Sequence, residues 1–237
     1  MRITSWLLGA ALLAAPLVAT AQAPRRHFDA QGRGYYRGPA RLTAGGGVAF
    51  YTGDLTTGLA QNRPGADVQV GVIYPWRPHW SVGGEFGWFQ VGSIDQLAER
   101  NLAFRGRNQS LTSFLRFEPL HDPAQFSSTG ANPLGFKPFL QAGLGLLLYN
   151  PKLYTGTEPL NQQAILTPER NDYPATAVVA PVGGGLSFLL NRRLYLTAQG
   201  TYFFTTTDHL DDVSQRGNPN RNDGYGLAEL KVEYKLR

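Results

Sequence analysis

Cysteine is absent from the 237-residue chain, and with it go disulfide frameworks, thiolate metal sites and cysteine nucleophiles. Histidine is scarce: His27, His79, His121 and His209 are the whole supply, and no two stand at metal-ligand spacing. Long apolar runs are almost missing too. The one present, Ile3 to Val18, follows Arg2, is broken by Pro16 and leads to the small-residue triplet Ala19, Thr20, Ala21. It falls short of the roughly 20 residues a spanning helix needs. Its position and flanks are those of a secretory signal peptide, residues 1–21, with cleavage expected before Gln22; a cut before Pro24 would put a proline where it hinders the peptidase. No later run has helix-spanning length, so the mature chain is either soluble or crosses a membrane as a β-barrel.

Charge is sparse and uneven. The formal net charge is +5, and the basic excess gathers early: Arg25, Arg26, Arg33, Arg37 and Arg41 lie in a Gly/Gln-rich stretch before the first strand-like run. Export argues against nucleic acid as its partner. The stretch reads as a flexible basic arm, residues 22–40, solvated in the periplasm.

From Arg41 to the end, residues 41–237, the pattern has period two, with Gly, Pro, Asn and Asp clusters between runs rich in Val, Leu, Phe, Tyr and Thr. Eight runs are legible: Arg41 to Gly53, Asp67 to Trp76, Trp80 to Val91, Gln109 to Glu118, Lys137 to Tyr149, Thr176 to Leu190, Leu194 to Thr206 and Tyr225 to Leu236. Most exceed the roughly 5 to 6 residues of soluble strands and match the roughly 9 to 11 of transmembrane ones. In the fifth run Leu140, Ala142, Leu144, Leu146 and Leu148 oppose Gln141, Gly143 and Gly145; in the last, Val232, Tyr234 and Leu236 oppose Lys231, Glu233 and Lys235.

Alternation alone does not say whether the apolar face meets a core or lipid, since a soluble β-sandwich alternates in the same way. Three features favour lipid. Connections after runs one, three, five and seven are long and polar, whereas Pro75 to His79 and Asn191 to Arg193 are short, the asymmetry of an outer-membrane barrel; Pro119 to Phe136 is the exception. Aromatics of outward parity gather near run ends, Tyr74, Trp76, Trp80, Phe117 and Tyr234 at one side and Phe50, Trp88, Tyr202 and Phe204 at the other, as two interfacial belts would. The opposite face carries Gln69, Glu85, Arg116, Glu118, Gln141, Gln199, Lys231, Glu233 and Lys235 among glycines. Such a face suits the side-chain-filled interior of an eight-stranded barrel, so Glu85, Arg116, Glu118, Lys231 and Glu233 are expected to form a lumenal polar core. The expected fold is all-β: an eight-stranded antiparallel up-and-down transmembrane barrel of the small OmpA-like kind, lipid around it and both termini in the periplasm.

Four segments carry a resemblance: GGGVAFYTGDL at Gly45 to Leu55, KPFLQAGLGLLLYNPK at Lys137 to Lys152, TYFFTTTDHLDDVS at Thr201 to Ser214, and the terminal NDGYGLAELKVEYKLR. Together they resemble the small barrels of Bacteroidetes outer membranes related to the PorG component of the type IX secretion system. The resemblance implies a non-enzymatic outer-membrane subunit that contacts periplasmic proteins of the secretion machine, with Arg25, Arg26, Arg33 and Arg37 as partner-facing positions. The chain departs from usual barrels at its end, where Leu236 and Arg237 replace a terminal aromatic and leave Tyr234 nearest.

The search for chemistry yields little. Asp54 marks the turn after the first run, and Asp208, His209, Asp211 and Asp212 mark the loop after the seventh. Asp208 and His209, if on a strand, point to opposite faces, which argues against a dyad. The aspartates read as solvated loop residues that fix turns through side-chain to backbone bonds, ahead of a calcium-type carboxylate site. GxSxG is absent, and the glycine triplets at Gly45 and Gly183 lack the GK[ST] and helix that a phosphate loop requires. No cofactor is expected. The alternatives to a secretion subunit are a stand-alone structural or small-solute barrel with ligand-binding external loops and, third, an outer-membrane hydrolase.

Overall fold

The computed structural model describes residues 26–53, 55–56, 60–95, 99, 101–126, 132–155, 165–213 and 222–236. Residues 1–21, read as a signal peptide, together with Arg25 and Asp54, lie outside the described residues. A small hairpin, β1 (Arg26–Phe28) and β2 (Gly34–Tyr36), precedes the main sheet. The sheet comprises β3 (Arg41–Thr52), β4 (Gly65–Arg77), β5 (Trp80–Ile94), β6 (Leu102–Phe117), β7 (Phe136–Tyr149), β8 (Pro151–Thr155), β9 (Ala175–Asn191), β10 (Leu194–Thr205) and β11 (Gly224–Lys235). Every pairing is antiparallel. β8 continues β7 past Asn150 along the same neighbour, β6, so nine strands make eight staves. Two seams close them into a barrel: β5 pairs with β6 from Trp80↔Phe117 to Ile94↔Ala103, and β3 pairs with β11 from Arg41↔Lys235 to Thr52↔Gly224.

Closure gives each long strand of the barrel a partner on both sides, while β8 has a strand partner only in β6, and the pleat sends alternate residues in and out. Outward go Val68, Val70, Val72, Phe86, Leu111, Leu140, Leu144, Leu146, Val178, Val182, Leu230 and Val232, all exposed, with Leu140 at 66%. Inward and buried go Gln69, Glu85, Thr112, Arg116, Gln141, Thr197, Gln199, Lys231 and Glu233. A sandwich buries its apolar face; this protein wets it and buries the charges, the arrangement of a barrel solvated by lipid. Tyr74, Trp76, Trp80 and Tyr234 ring the end with the short turns, here the turn end; Phe50, Trp88, Tyr202 and Phe204 ring the loop end.

The parity inverts toward the loop end. Along β6 the inward row runs Arg116, Phe114, Thr112, Ser110, Asn108, Phe104, Leu102, while the outward row runs Leu115, Leu111, Gln109, Arg107, Arg105. Below the inversion apolar groups face out; above it they face in. There Tyr51, Phe89, Val91, Phe104, Leu147, Tyr149, Val179, Phe203 and Tyr225 pack as one buried cluster inside the barrel mouth, with Leu210 and Val213 of the β10–β11 loop over it. Phe203 and Tyr225 stack at 4.4 Å and Phe89 stacks on the other side of Tyr225, also at 4.4 Å.

Two expectations need correction. The stretch read as a flexible arm holds the β1–β2 hairpin, turned by Asp29, whose carboxylate accepts from Gln31 and Arg33 backbone N–H groups, and by Gly32 at φ 74°. Arg41, counted with the basic cluster although it opens the first run, is the first residue of β3 as that run has it, but its side chain faces the lumen at 4% exposure instead of joining the arm.

Candidate functional site

The turn half of the lumen is filled by two ion-pair networks. Glu233 of β11 accepts from Arg116 Nη1 at 2.8 Å, Arg41 Nη1 at 3.0 Å and Thr197 Oγ1 at 2.9 Å. Arg41 also donates to Glu118 at 2.7 Å, and Arg116 donates twice to Gln141 and lies 3.8 Å above the Phe139 ring centroid. A second knot joins Lys231 to Glu85 at 2.8 Å and to Glu229 at 3.2 Å. Each charge has a fixed opposite partner, which a dry interior requires. Lumenal glycines make room: a Cβ on Gly71 would stand 2.5 Å from the Glu85 side chain.

Asp122 carries the first network to the turn end. It lies in the long β6–β7 connection and caps a 3-10 turn, Pro123–Gln125. Its carboxylate accepts from the Ala124 and Leu134 backbone N–H groups, each at 3.1 Å, and from Lys137 Nζ. Burial opposes its charge, but Lys137 and these bonds hold its carboxyl below the usual aspartate value. The connection too long for a tight turn is therefore a pinned cover. The hairpin lies beside it: Tyr35 is buried, Arg33 sits 5.7 Å from the Phe126 ring centroid, and Leu236 donates to the Ala40 carbonyl. Tyr36, Arg37, Arg41, Glu118, Asp122 and Lys235 are among the residues lining a cavity of about 270 Å³ under this cover.

At the loop end the aspartates are structural. Tyr51 Oη lies 2.5 Å from Asp211 Oδ2 and 2.7 Å from Asp223 Oδ1. A hydroxyl has one proton, so it donates to one carboxylate and accepts from the other only if that one is protonated. Burial, then the charge of Asp211, pushes the Asp223 carboxyl well above the ordinary aspartate range, with Asp208 adding to it. The other oxygens hold the loop: Leu210 N–H donates to Asp223 and Val213 N–H to Asp211. Asp212, at φ 63°, accepts from Tyr173 Oη at 2.7 Å and from Glu169 N–H, tying two loops together. The folded loop binds the Asp223 proton more tightly than the unfolded one. Its packing is therefore fully stabilised below the ordinary aspartate pKa and weakens as pH rises toward the elevated folded value. Amide exchange at Leu210 and Val213, corrected for intrinsic rates, should quicken as pH rises above the ordinary aspartate range, and Asp223→Asn should flatten that dependence. Equal protection at acid and alkaline pH would contradict the shared proton.

The structure brings Glu85, Arg116, Glu118, Lys231 and Glu233 into the lumen and adds Arg41, Asp122, Lys137 and Glu229, which sequence reasoning missed. Lys137 and Glu229 were legible from parity alone. Of the arm arginines, Arg26 is exposed, Arg33 pairs with Asp29 at 2.8 Å and Arg37 is half-buried. Asp211 and Asp212, expected to be solvated, are buried, and Asp208 is half-buried; docking surfaces they are not. Burial follows because the loop folds down onto the apolar mouth. Among the described residues no group of three His, Cys, Asp or Glu is placed to hold a metal ion.

No protein-family description matches the chain, and no curated protein matches it. Among solved structures it is similar to Neisserial surface protein A, at 13% identity and TM-score 0.48 over 83% of this chain and 97% of that one. It is similar also to Ail, the attachment invasion locus protein of Yersinia pestis, at 14% and 0.45 over 84% and 99%, and to the outer membrane enzyme PagL, at 14% and 0.43 over 82% and 99%. Likeness at that level speaks for neither a shared family nor a shared activity.

Proposed function

We propose that this chain is a non-enzymatic outer-membrane barrel that serves as an anchoring subunit, with its loops toward the cell exterior and its turn end docking periplasmic proteins. What supports the reading is the contrast between a filled lumen and a built turn end. Among the described residues, ion pairs fill one half of the interior and stacked aromatics the other, which favours a structural barrel over an open pore in this reading. The turn end, by contrast, carries a pinned connection and a hairpin, and cations lie beside aromatic rings there: Arg26 over Phe28 at 5.4 Å on the hairpin and Arg77 over Trp76 at 4.8 Å at the end of β4, with Phe28 64% exposed. Arginine and aromatic side chains on a firm base suit a protein interface. The motif resemblance makes a periplasmic component of the type IX secretion machine the specific partner in this reading. A photo-crosslinking amino acid at Phe28 in living cells should trap such a component, and deletion of the protein should impair secretion. Crosslinks to no periplasmic protein, with secretion intact in the deletion strain, would reject the role.

A further inference from the structure

Among the described residues, charge on the outward rows of the barrel strands at the loop end is confined to one arc of the rim. On the outward rows of β3, β4, β9, β10 and β11 the loop-end positions are Thr52, Ala66, Thr176, Thr206 and Gly226, none charged. On β6 they are Arg107 and Arg105, and on β8 Lys152, all exposed. Arg105 and Lys152 are direct cross-strand partners, and Arg107 lies two residues along the same face. Like charges directly opposite on one face of a sheet are destabilising. Among the described residues no acid compensates them: these three cations form no ion pair there, and the one side-chain bond is Arg105 to Gln90 at 3.2 Å. The β5–β6 connection carries Asp95, which is buried, and Glu99, and neither pairs with them.

The height of this cluster identifies what neutralises it. Gln109 and Leu111 follow Arg107 down the outward row of β6, Leu148 faces Gln109, and Trp88 faces Gln109 from β5. Leu111, Leu146 and Leu148 are exposed apolar residues of the lipid belt. The cations thus begin one outward position above the belt, at the depth where headgroups replace acyl chains. Arginine there presents its fork to phosphate oxygens and lysine adds a point charge.

We infer that Arg105, Arg107 and Lys152 form a binding site for the phosphate groups of anionic lipid headgroups, in the leaflet at the loop end. This rests on the reading that the barrel spans a membrane. A headgroup seated between β6 and β8 would relieve the Arg105–Lys152 repulsion, which no ion pair among the described residues compensates. It would also anchor one side of the barrel to a charged leaflet.

The test uses Trp88 as a reporter. With Trp76→Phe and Trp80→Phe, it is the sole tryptophan after residue 21. The barrel is reconstituted in vesicles in which either phosphatidylglycerol or phosphatidylcholine carries bromine near the headgroup end of its chains. Quenching by brominated phosphatidylcholine in pure phosphatidylcholine vesicles reports insertion. In an equal mixture, brominated phosphatidylglycerol should be favoured at Trp88 by about fivefold or more, on the scale of one to three cations at a charged surface. Arg105→Gln, Arg107→Gln and Lys152→Gln together should bring the ratio to one without changing quenching in pure phosphatidylcholine. Equal quenching by both lipids in the unsubstituted rim, or a preference that survives the triple substitution, would overturn the site while leaving membrane insertion intact. Absence of quenching by either lipid would overturn insertion itself, and the site with it.

Discussion

Glu233→Ala is expected to destabilise the barrel by about 3–5 kcal/mol, the usual cost of removing one partner from a buried ion pair. Glu233 has 0% exposure and receives hydrogen bonds from two guanidinium groups on different staves, Arg41 of β3 and Arg116 of β6, and from Thr197 of β10. Alanine leaves both arginines buried with one partner fewer. Arg41 retains Glu118 and Arg116 retains Gln141, so the loss stays finite. Glu233→Gln keeps an acceptor but drops the charge, and should fall between. Replacing the pair by apolar residues, Arg116→Met with Glu233→Leu, should recover part of the loss, because Arg116 no longer leaves a charge short of its partner, although Arg41 keeps only Glu118. Urea titration of the folded barrel in vesicles, followed by gel migration without boiling, measures the three variants against the parent. A Glu233→Ala variant within about 1 kcal/mol of the parent would mean that the lumen is hydrated and the network screened.

Gly47→Val is expected to prevent closure, whereas Gly200→Ala should be silent. Gly47 faces Glu229 across the β3–β11 seam, where the first and last staves of the barrel meet. A Cβ there would stand 1.9 Å from the Ala228 carbonyl oxygen and 2.8 Å from the Glu229 Cα. These are backbone atoms, so no rotamer relieves the overlap and the seam itself must part. Overpacking of cores costs typically 1–3 kcal/mol; a clash with a paired backbone at a closure seam should exceed about 3. Gly200 has no atom within 4 Å of its ideal Cβ and serves as the control for a glycine on a neighbouring strand. The heat-modifiable gel band should vanish for Gly47→Val and persist for Gly200→Ala. A normal band for both would refute the closeness of the seam.

The staves were legible in the sequence because lipid and lumen impose opposite demands on alternate residues. For the runs at Arg41, Trp80, Lys137, Thr176, Leu194 and Tyr225 the first residue of the strand falls within one position of the reading. The reading failed where the solvent changes. Residues 102–108 have Leu102 and Phe104 inward with Arg105 and Arg107 outward, the reverse of the lower barrel. A constant apolar face does not fit that stretch, so the first seven residues of β6 passed for loop and β8 went unseen. The aromatic plug was hidden by the same inversion. The β1–β2 hairpin rests on a three-residue pairing and on Asp29, too short to raise a periodic signal. Partner choice in the lumen was beyond reach as well: that Glu233 meets Arg41 and Arg116 depends on which staves face each other across the interior, which no period reveals.

The central claim is that the apolar face of the sheet meets lipid. The absence of cysteine allows single labels at will. Nitroxides placed one at a time at Ala228, Leu230, Val232 and Tyr234 of β11, in bilayers, report collision with oxygen, which concentrates in lipid, and with a water-soluble nickel chelate. All four positions should collide freely with oxygen, and Leu230, between the two aromatic rings, should be most shielded from nickel. Nickel collisions that stay high along the whole row, or oxygen collisions that stay low, would place this face in water or in a protein core and contradict the barrel's place in a membrane.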